Sequence, residues 1–275
     1  MVPRMRAGLT SHPVLIQRLL VAAIGLPLLG LVLVAPEPVF AVVVLALLGY
    51  AAFEMMHAAE PNAPLAYGLS AAVATALFAA LTRTNPEVPL GLLFLVTLAT
   101  MGLLLWPTSK LSATVGGWWI GAVLYVGVLG AHFLLARNFI DGRDWLIVLL
   151  AITFATDTGA YAAGRLLGRH RLAPAISPNK TVEGAIGGLA LGAAAAIGVP
   201  MLLGVATRMP GPLLLASVVP IAAMAGDLLE SALKRRLGVK DMSGLLPGHG
   251  GLLDRLDSLL LAGPCLYWIV RWLQA

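Results

Sequence analysis

The sequence predicts an all-α polytopic integral membrane protein. About nine transmembrane helices are expected, with the N-terminus inside, the C-terminus outside and a polar site on the cytoplasmic side of the C-terminal helices. Three observations carry this. Hydrophobic residues make up 59% of the chain and charged ones 11%, with a mean hydropathy of +0.91, whereas a soluble domain holds roughly a quarter charged residues. Apolar runs recur at about the 20 residues that a helix needs to cross a bilayer. Lysine and arginine gather in alternate connections between those runs, as cytoplasmic loops require.

Taken in order, the runs are 17–35, 38–56, 64–82, 88–106, 115–136, 144–164, 183–205, 211–233 and 254–273. Arg4 and Arg6 ahead of the first run imitate a signal peptide. Pro36 follows directly on Ala35, however, where cleavage is disfavoured, so the run is expected to remain as a first helix. Pro36-Glu37-Pro38 then makes a tight polar turn into the second run. All of these runs are too continuous for barrel strands of alternating polarity. No hydrophilic stretch is long enough for a soluble module, so 1–275 is expected to be one integral membrane domain. Within it, 1–143 are N-terminal helices and 144–275 the catalytic helices and cytoplasmic loops. Cys265 is the one cysteine, so no intramolecular disulfide is possible.

With the N-terminus inside, thirteen cations fall on the cytoplasmic side. They are Arg4, Arg6, Arg18, Lys110, Arg165, Arg169, Arg171, Lys180, Lys234, Arg235, Arg236, Lys240 and Arg255. Arg83, Arg137, Arg143, Arg208 and Arg271 fall on the other side, completing the 18 Lys and Arg. The net charge of +5 and the pI near 9.7 are then explained mostly by topology, and no nucleic-acid partner is needed.

The same topology brings acids to one depth. Asp157 lies about two turns from the inner end of the sixth run. Asp227 and Glu230 end the eighth, and Asp254 and Asp257 open the ninth. Acids in membrane helices cost about 2.5–3.5 kcal/mol each on insertion scales and are functional candidates by default. Pairs three residues apart share a helix face and suit a hard divalent cation such as Mg²⁺, which keeps water and substrate phosphates in its shell. Acids in a first helical turn also complement the dipole, an alternative that applies to Asp254 and Asp257. Asp227, near a helix C-terminus, gains nothing from it.

Lys234, Arg235, Arg236 and Lys240 on one loop, with Arg165, Arg169, Arg171 and Lys180 on another, could bind polyphosphate. Orientation bias and anionic-lipid contact explain the same cations one at a time. Pro247-Gly248-His249-Gly250-Gly251 could let backbone N–H groups approach phosphate before a helix N-terminus, though glycines also simply connect helices. His249 either contacts phosphate or faces water. Thr181, after Pro178, either caps a helix or joins Ser177 and Lys180 in holding phosphate there. Glu54 and His132 read as packing or interface groups, and Trp118-Trp119 as an interfacial anchor.

From Ser231 to Asp257 the chain carries Ser231, Lys234-Arg235, Lys240-Asp241, Pro247-Gly248-His249-Gly250-Gly251 and Asp254-Arg255-Leu256-Asp257. This order resembles the signature of the phosphatidate cytidylyltransferases (CDP-diacylglycerol synthases). Gly226-Asp227-Leu228-Leu229-Glu230, Asp157-Thr158-Gly159-Ala160-Tyr161 and Ile176–Gly184 resemble further family blocks. The resemblance covers roughly 151–260, and the first five helices agree only in hydropathy. Two departures are Asn179, where the family often has lysine, and Ala162, where an aromatic is common.

The resemblance implies a reaction of CTP with phosphatidic acid that gives CDP-diacylglycerol and pyrophosphate. It implies a metal centre of Asp227, Asp254 and Asp257 holding Mg²⁺, with a second cation such as K⁺ admitted. Lys180, Lys234, Arg235, Lys240 and His249 would grip the triphosphate, and Lys240 joins the three aspartates as a catalytic candidate. Ser177 and Ser231 would line the pocket. Thr181, Gly250, Gly251, Arg255 and Asp157 complete the substrate-binding candidates. The bilayer is the other partner, a homodimer is compatible, and a bacterial inner membrane with the site facing the cytoplasm is expected. Two competing readings remain: a CTP-dependent lipid or polyprenol kinase, which would release CDP, and a cation or solute transporter.

Overall fold

The computed structural model describes residues 11–84, 90–106, 114–205 and 207–274. Arg4, Arg6, Lys110 and the side chain of Arg18, which entered the cation count, lie outside the described residues. Nine long helices are found among the described residues, each close to one of the expected runs. They are α1 (Ser11–Val34), α2 (Glu37–Ala59), α3 (Leu65–Thr84), α4 (Leu90–Leu105), α5 (Val115–Arg137), α6 (Gly142–Leu167), α7 (Val182–Leu203), α8 (Gly211–Leu237) and α9 (Leu253–Gln274). Seven are long and apolar enough to cross a membrane. The apolar parts counted in α1 and α4, Ala23–Val34 and Leu93–Leu105, are shorter.

Local chemistry explains the boundaries. Proline at the first turn of α2 loses no helical hydrogen bond. Thr114 caps α5 by accepting from the N–H of Gly117 at 3.0 Å. Gly204 and Gly238 end α7 and α8 in the left-handed conformation at φ 70° and 72°, which satisfies the last carbonyls without a Cβ penalty. Midway along α5, Val123–Val128 forms a π turn, an insertion that sequence periodicity does not announce.

The expectation of helices alone needs one correction. Arg171–Ala173 (β1) and Ser177–Thr181 (β2) form a two-stranded antiparallel hairpin between α6 and α7, pairing Arg171 with Thr181 and Ala173 with Ser177. The strands stand outside the apolar runs, where backbone groups can reach water. Pro178 is tolerated because a two-stranded ribbon has only edges.

Helices α6 and α7 pack through glycines. A Cβ on Gly188 would stand 2.8 Å from the carbonyl oxygen of Thr156, and one on Gly184 2.8 Å from that of Ala160. Small residues let backbones approach closely, which is how helices associate where no hydrophobic drive separates them from lipid. His132 is a packing group, fully buried and edge-on to Tyr267 with ring centroids 5.3 Å apart. Trp118 departs from the anchor reading. It is 3% exposed, within the core, while Trp119 donates from Nε1 to the Ser70 hydroxyl at 3.0 Å.

Polar contacts separate by end. At one end Arg83 pairs with Glu37, Arg137 donates to the Ala35 carbonyl at 3.0 Å, and Gln274 donates to that of Ile140 at 3.2 Å. At the other, Arg236 donates to the Trp106 carbonyl at 3.4 Å and Arg235 to that of Ile176 at 3.2 Å. The second end also holds the carboxylates and lysines of the candidate site.

Candidate active site

Helix α8 supplies the centre of the site. Asp227, Glu230, Ser231 and Lys234 recur at three and four residues and therefore share one face. Lys234 meets two carboxylates, Glu230 at 2.5 Å and Asp254 of α9 at 2.8 Å. Glu230 is fully buried and Asp254 5% exposed, so the lysine between them offsets charge that burial would otherwise make costly. Ser231 donates to Asp227 at 3.4 Å.

The hairpin brings the second component. Lys180 on β2 reaches Asp227 at 2.6 Å, and the Arg235 bond to Ile176 pins the hairpin against the end of α8. Ser177 lies half-buried on the same strand. Thr181 takes the structural role of its two readings: its side chain accepts from the N–H of Gly184 at 3.0 Å and caps α7.

The start of α9 and the loop before it form the third component. Asp254 takes Lys234 on Oδ1. Its Oδ2 accepts from the backbone N–H of Met242 at 2.9 Å and of Gly251 at 2.7 Å. Leu246 and Gly250 close the glycine turn, with Leu246 donating to the Gly250 carbonyl at 2.8 Å. Gly250 sits at φ +81°, and a Cβ there would approach Asp254 Oδ2 to 2.7 Å. Glycine is required both for that backbone conformation and for the contact. His249 is partly buried, and its Nδ1 has no hydrogen-bond partner among the described residues.

One expectation is corrected here. The N–H groups of Gly251, Leu252 and Leu253 do not face an open anion site. Asp254 takes the first, and Glu54 of α2 takes the other two at 3.0 and 2.8 Å. The helix start is already supplied with negative charge from its own chain. Glu54 was read as a packing or interface group and is instead joined to this loop, accepting also from Ser243 Oγ at 2.5 Å. Its position in an apolar helix 189 residues from Ser243 left no local pattern by which to find it. The sole signal was a carboxylate inside a membrane run. Tyr125 was also missed. It is fully buried on the π turn, within electrostatic reach of Glu230, Asp257 and Asp227, and its hydroxyl lacks a partner among the described residues.

The remaining candidates line the open side. Asp157 on α6 and Arg255 are accessible, and Asp257 is half-buried. Asp157, Asp227 and Asp257 lie within electrostatic reach of one another, with Arg255 near both Asp157 and Asp257. Lys240 is exposed beyond the end of α8. Among the described residues no group of three or more His, Cys, Asp or Glu side chains converges to hold a metal ion. Asp254 has both oxygens engaged, so the three-aspartate centre is not assembled in this geometry. Asp227 and Asp257 present the hard oxygen donors that Mg²⁺ takes one or two at a time.

Comparison with known proteins bears on this arrangement. The chain is 42% identical over 145 residues to a phosphatidate cytidylyltransferase of Staphylococcus haemolyticus, covering 53% of this chain and 55% of that protein. It is 39% identical over 154 residues to one of Bacillus subtilis, covering 54% and 56%. A Staphylococcus aureus protein of the same name is 42% identical over 147 residues, covering 53% and 55%. The chain thus spans about half the length of these curated relatives. A family model described as the cytidylyltransferase family matches residues 16–273, nearly the whole chain. With α8, the hairpin and the start of α9 all inside the matched region, this chain belongs to the cytidylyltransferase family.

Proposed function

We propose that this protein is a phosphatidate cytidylyltransferase, joining CTP and phosphatidic acid to give CDP-diacylglycerol and pyrophosphate. The observation that carries the reading is the meeting of Lys180, Asp227, Lys234 and Asp254 from three separate chain segments at one end of an apolar bundle. That is where a water-soluble nucleotide and a lipid headgroup can share a site. The names of the relatives support the choice of substrates.

A lipid phosphate oxygen is already anionic and attacks the α-phosphorus of CTP without a strong base. The new P–O bond forms as the bond to the β-phosphate oxygen breaks, and pyrophosphate departs with the electron pair. Catalysis therefore reduces to positioning and charge neutralisation. Lys180, paired with Asp227, and Arg255, near Asp157 and Asp257, are cations beside the carboxylates, suited to bind phosphate oxygens. Lys240, exposed beyond the end of α8, would reach in from the rim, and His249 offers Nδ1, which has no hydrogen-bond partner among the described residues. Lys234 neutralises two buried acids and so acts on the frame of the site. Asp227 and Asp257 would hold Mg²⁺, which when bound supplies Lewis-acid neutralisation of the triphosphate. A second cation such as K⁺ belongs to the same proposal.

The proposal extends to topology: nine spans, N-terminus inside and C-terminus outside, in a bacterial inner membrane with the site facing the cytoplasm. The whole chain acts as one integral membrane domain with its chemistry centred on 144–275, and a homodimer fits the reading. The test is purified protein with CTP, phosphatidic acid and Mg²⁺. CDP-diacylglycerol with pyrophosphate is expected. Release of CDP would indicate a kinase, and ion flux in liposomes without CTP turnover a transporter; either result overturns the proposal.

A further inference from the structure

We infer that Glu54, on α2, is a positioning residue for the glycine turn and the first turn of α9, coupling the N-terminal helices to the chemistry. The inference rests on the cytidylyltransferase reading for its kinetic consequence, but not for its structural one.

Glu54 is 2% exposed and accepts three hydrogen bonds from the stretch that carries the turn: Ser243 Oγ at 2.5 Å, Leu252 N–H at 3.0 Å and Leu253 N–H at 2.8 Å. Charge-assisted bonds of this kind are about twice as strong as neutral ones. Together they span Ser243 to Leu253 and so enclose His249, Gly250 and Gly251. A Cβ on Gly251 would fall 2.8 Å from Glu54 Oε1, so the absence of a side chain there is what lets the carboxylate approach the backbone. The far side of the turn is held by Asp254 through Gly251 and Met242.

Two buried carboxylates, one from each half of the chain, therefore grip a single turn between them. Asp254 and Lys234 fix it to α8, and Glu54 fixes it to the bundle of α2, α3 and α5. Without Glu54, two orphaned N–H groups and a free hydroxyl would leave the turn tied on one side only. His249 and the following aspartates would then be located less sharply.

The test uses full-length protein with Glu54→Gln, which keeps volume but sets an amide N–H₂ against backbone donors, and Ser243→Ala, which removes one of the three bonds. Hydrogen exchange at Leu252 and Leu253 is expected to quicken in Glu54→Gln and less so in Ser243→Ala. Unchanged protection in both variants would overturn the inference. In the CTP assay, kcat/KM for CTP should fall about 10- to 100-fold in Glu54→Gln, with KM for phosphatidic acid within twofold of wild type. A loss confined to the amount of folded protein, with unaltered kinetic constants for the remainder, would make Glu54 merely structural and overturn it too. Wild-type protein that does not turn over CTP sinks the proposed function instead, and the exchange measurement then decides the role of Glu54 alone.

Discussion

Asp254→Asn tests the frame of the site most directly. The aspartate side chain is 2% exposed and that of Lys234 16%. One carboxylate oxygen accepts from Lys234 at 2.8 Å and the other from Met242 and Gly251 at 2.9 and 2.7 Å. Asparagine has one acceptor oxygen to cover both sides. Either its N–H₂ opposes an ammonium group, or it opposes two backbone N–H groups. Removing one partner of a buried ion pair costs about 3–5 kcal/mol. Lys234 keeps Glu230 at 2.5 Å, so we expect a loss near the bottom of that range, about 3 kcal/mol. The assay is unfolding of the detergent-solubilised protein, run as a cycle with Lys234→Met and the double variant. A coupling energy of at least about 1.5 kcal/mol is expected, well outside the ~0.5 kcal/mol scatter of independent sites. Additivity within that scatter, or an Asp254→Asn protein with unchanged unfolding, would refute the argument that the pair holds α8 to α9.

Other outcomes follow from the same geometry. Asp257→Asn should abolish turnover while leaving the protein inserted and its unfolding midpoint nearly unchanged, since the hydrogen bond its side chain accepts among the described residues comes from the adjacent Ser258 N–H; near-normal activity would remove it from the metal assignment. Lys240→Ala should raise KM for CTP more than KM for the lipid, and an unchanged KM for CTP would take this exposed lysine out of the nucleotide site. Gly188→Ala should cost about 1–3 kcal/mol because its Cβ would meet the Thr156 carbonyl, whereas Gly198→Ala, with nothing within 4 Å, should be neutral. Equal unfolding midpoints for the two would count against glycine-mediated packing of α6 on α7.

Hydropathy and spacing were enough for what depends on short stretches of chain. Every long apolar run became a helix, because a backbone leaving water must satisfy its own N–H and C=O groups. The common face of Asp227 and Glu230 followed from helical periodicity, and the residue order around His249 already carried the family resemblance; Lys234, Arg235 and Arg236, expected on a loop, instead form the last turn of α8, which runs on to Leu237. The hairpin at 171–181 escaped notice because strands of three and five residues leave too short a pattern. The π turn escaped it because one extra residue in a helix scarcely disturbs an apolar run.

Tertiary structure decided the partners. Lysines and aspartates in the sequence could be sorted by end of the bundle, but not into pairs. Lys180 went to Asp227, Lys234 to Glu230 and Asp254, and Glu54 to a loop nearly two hundred residues away. These choices turn on distances of a few ångströms, over which buried charges attract strongly, and on which N–H groups are already taken. Helical periodicity fixes which face a side chain occupies. Only the packing of α2, α8 and α9 fixes what that face meets, and so separates the carboxylates that hold the turn from those left open to substrate.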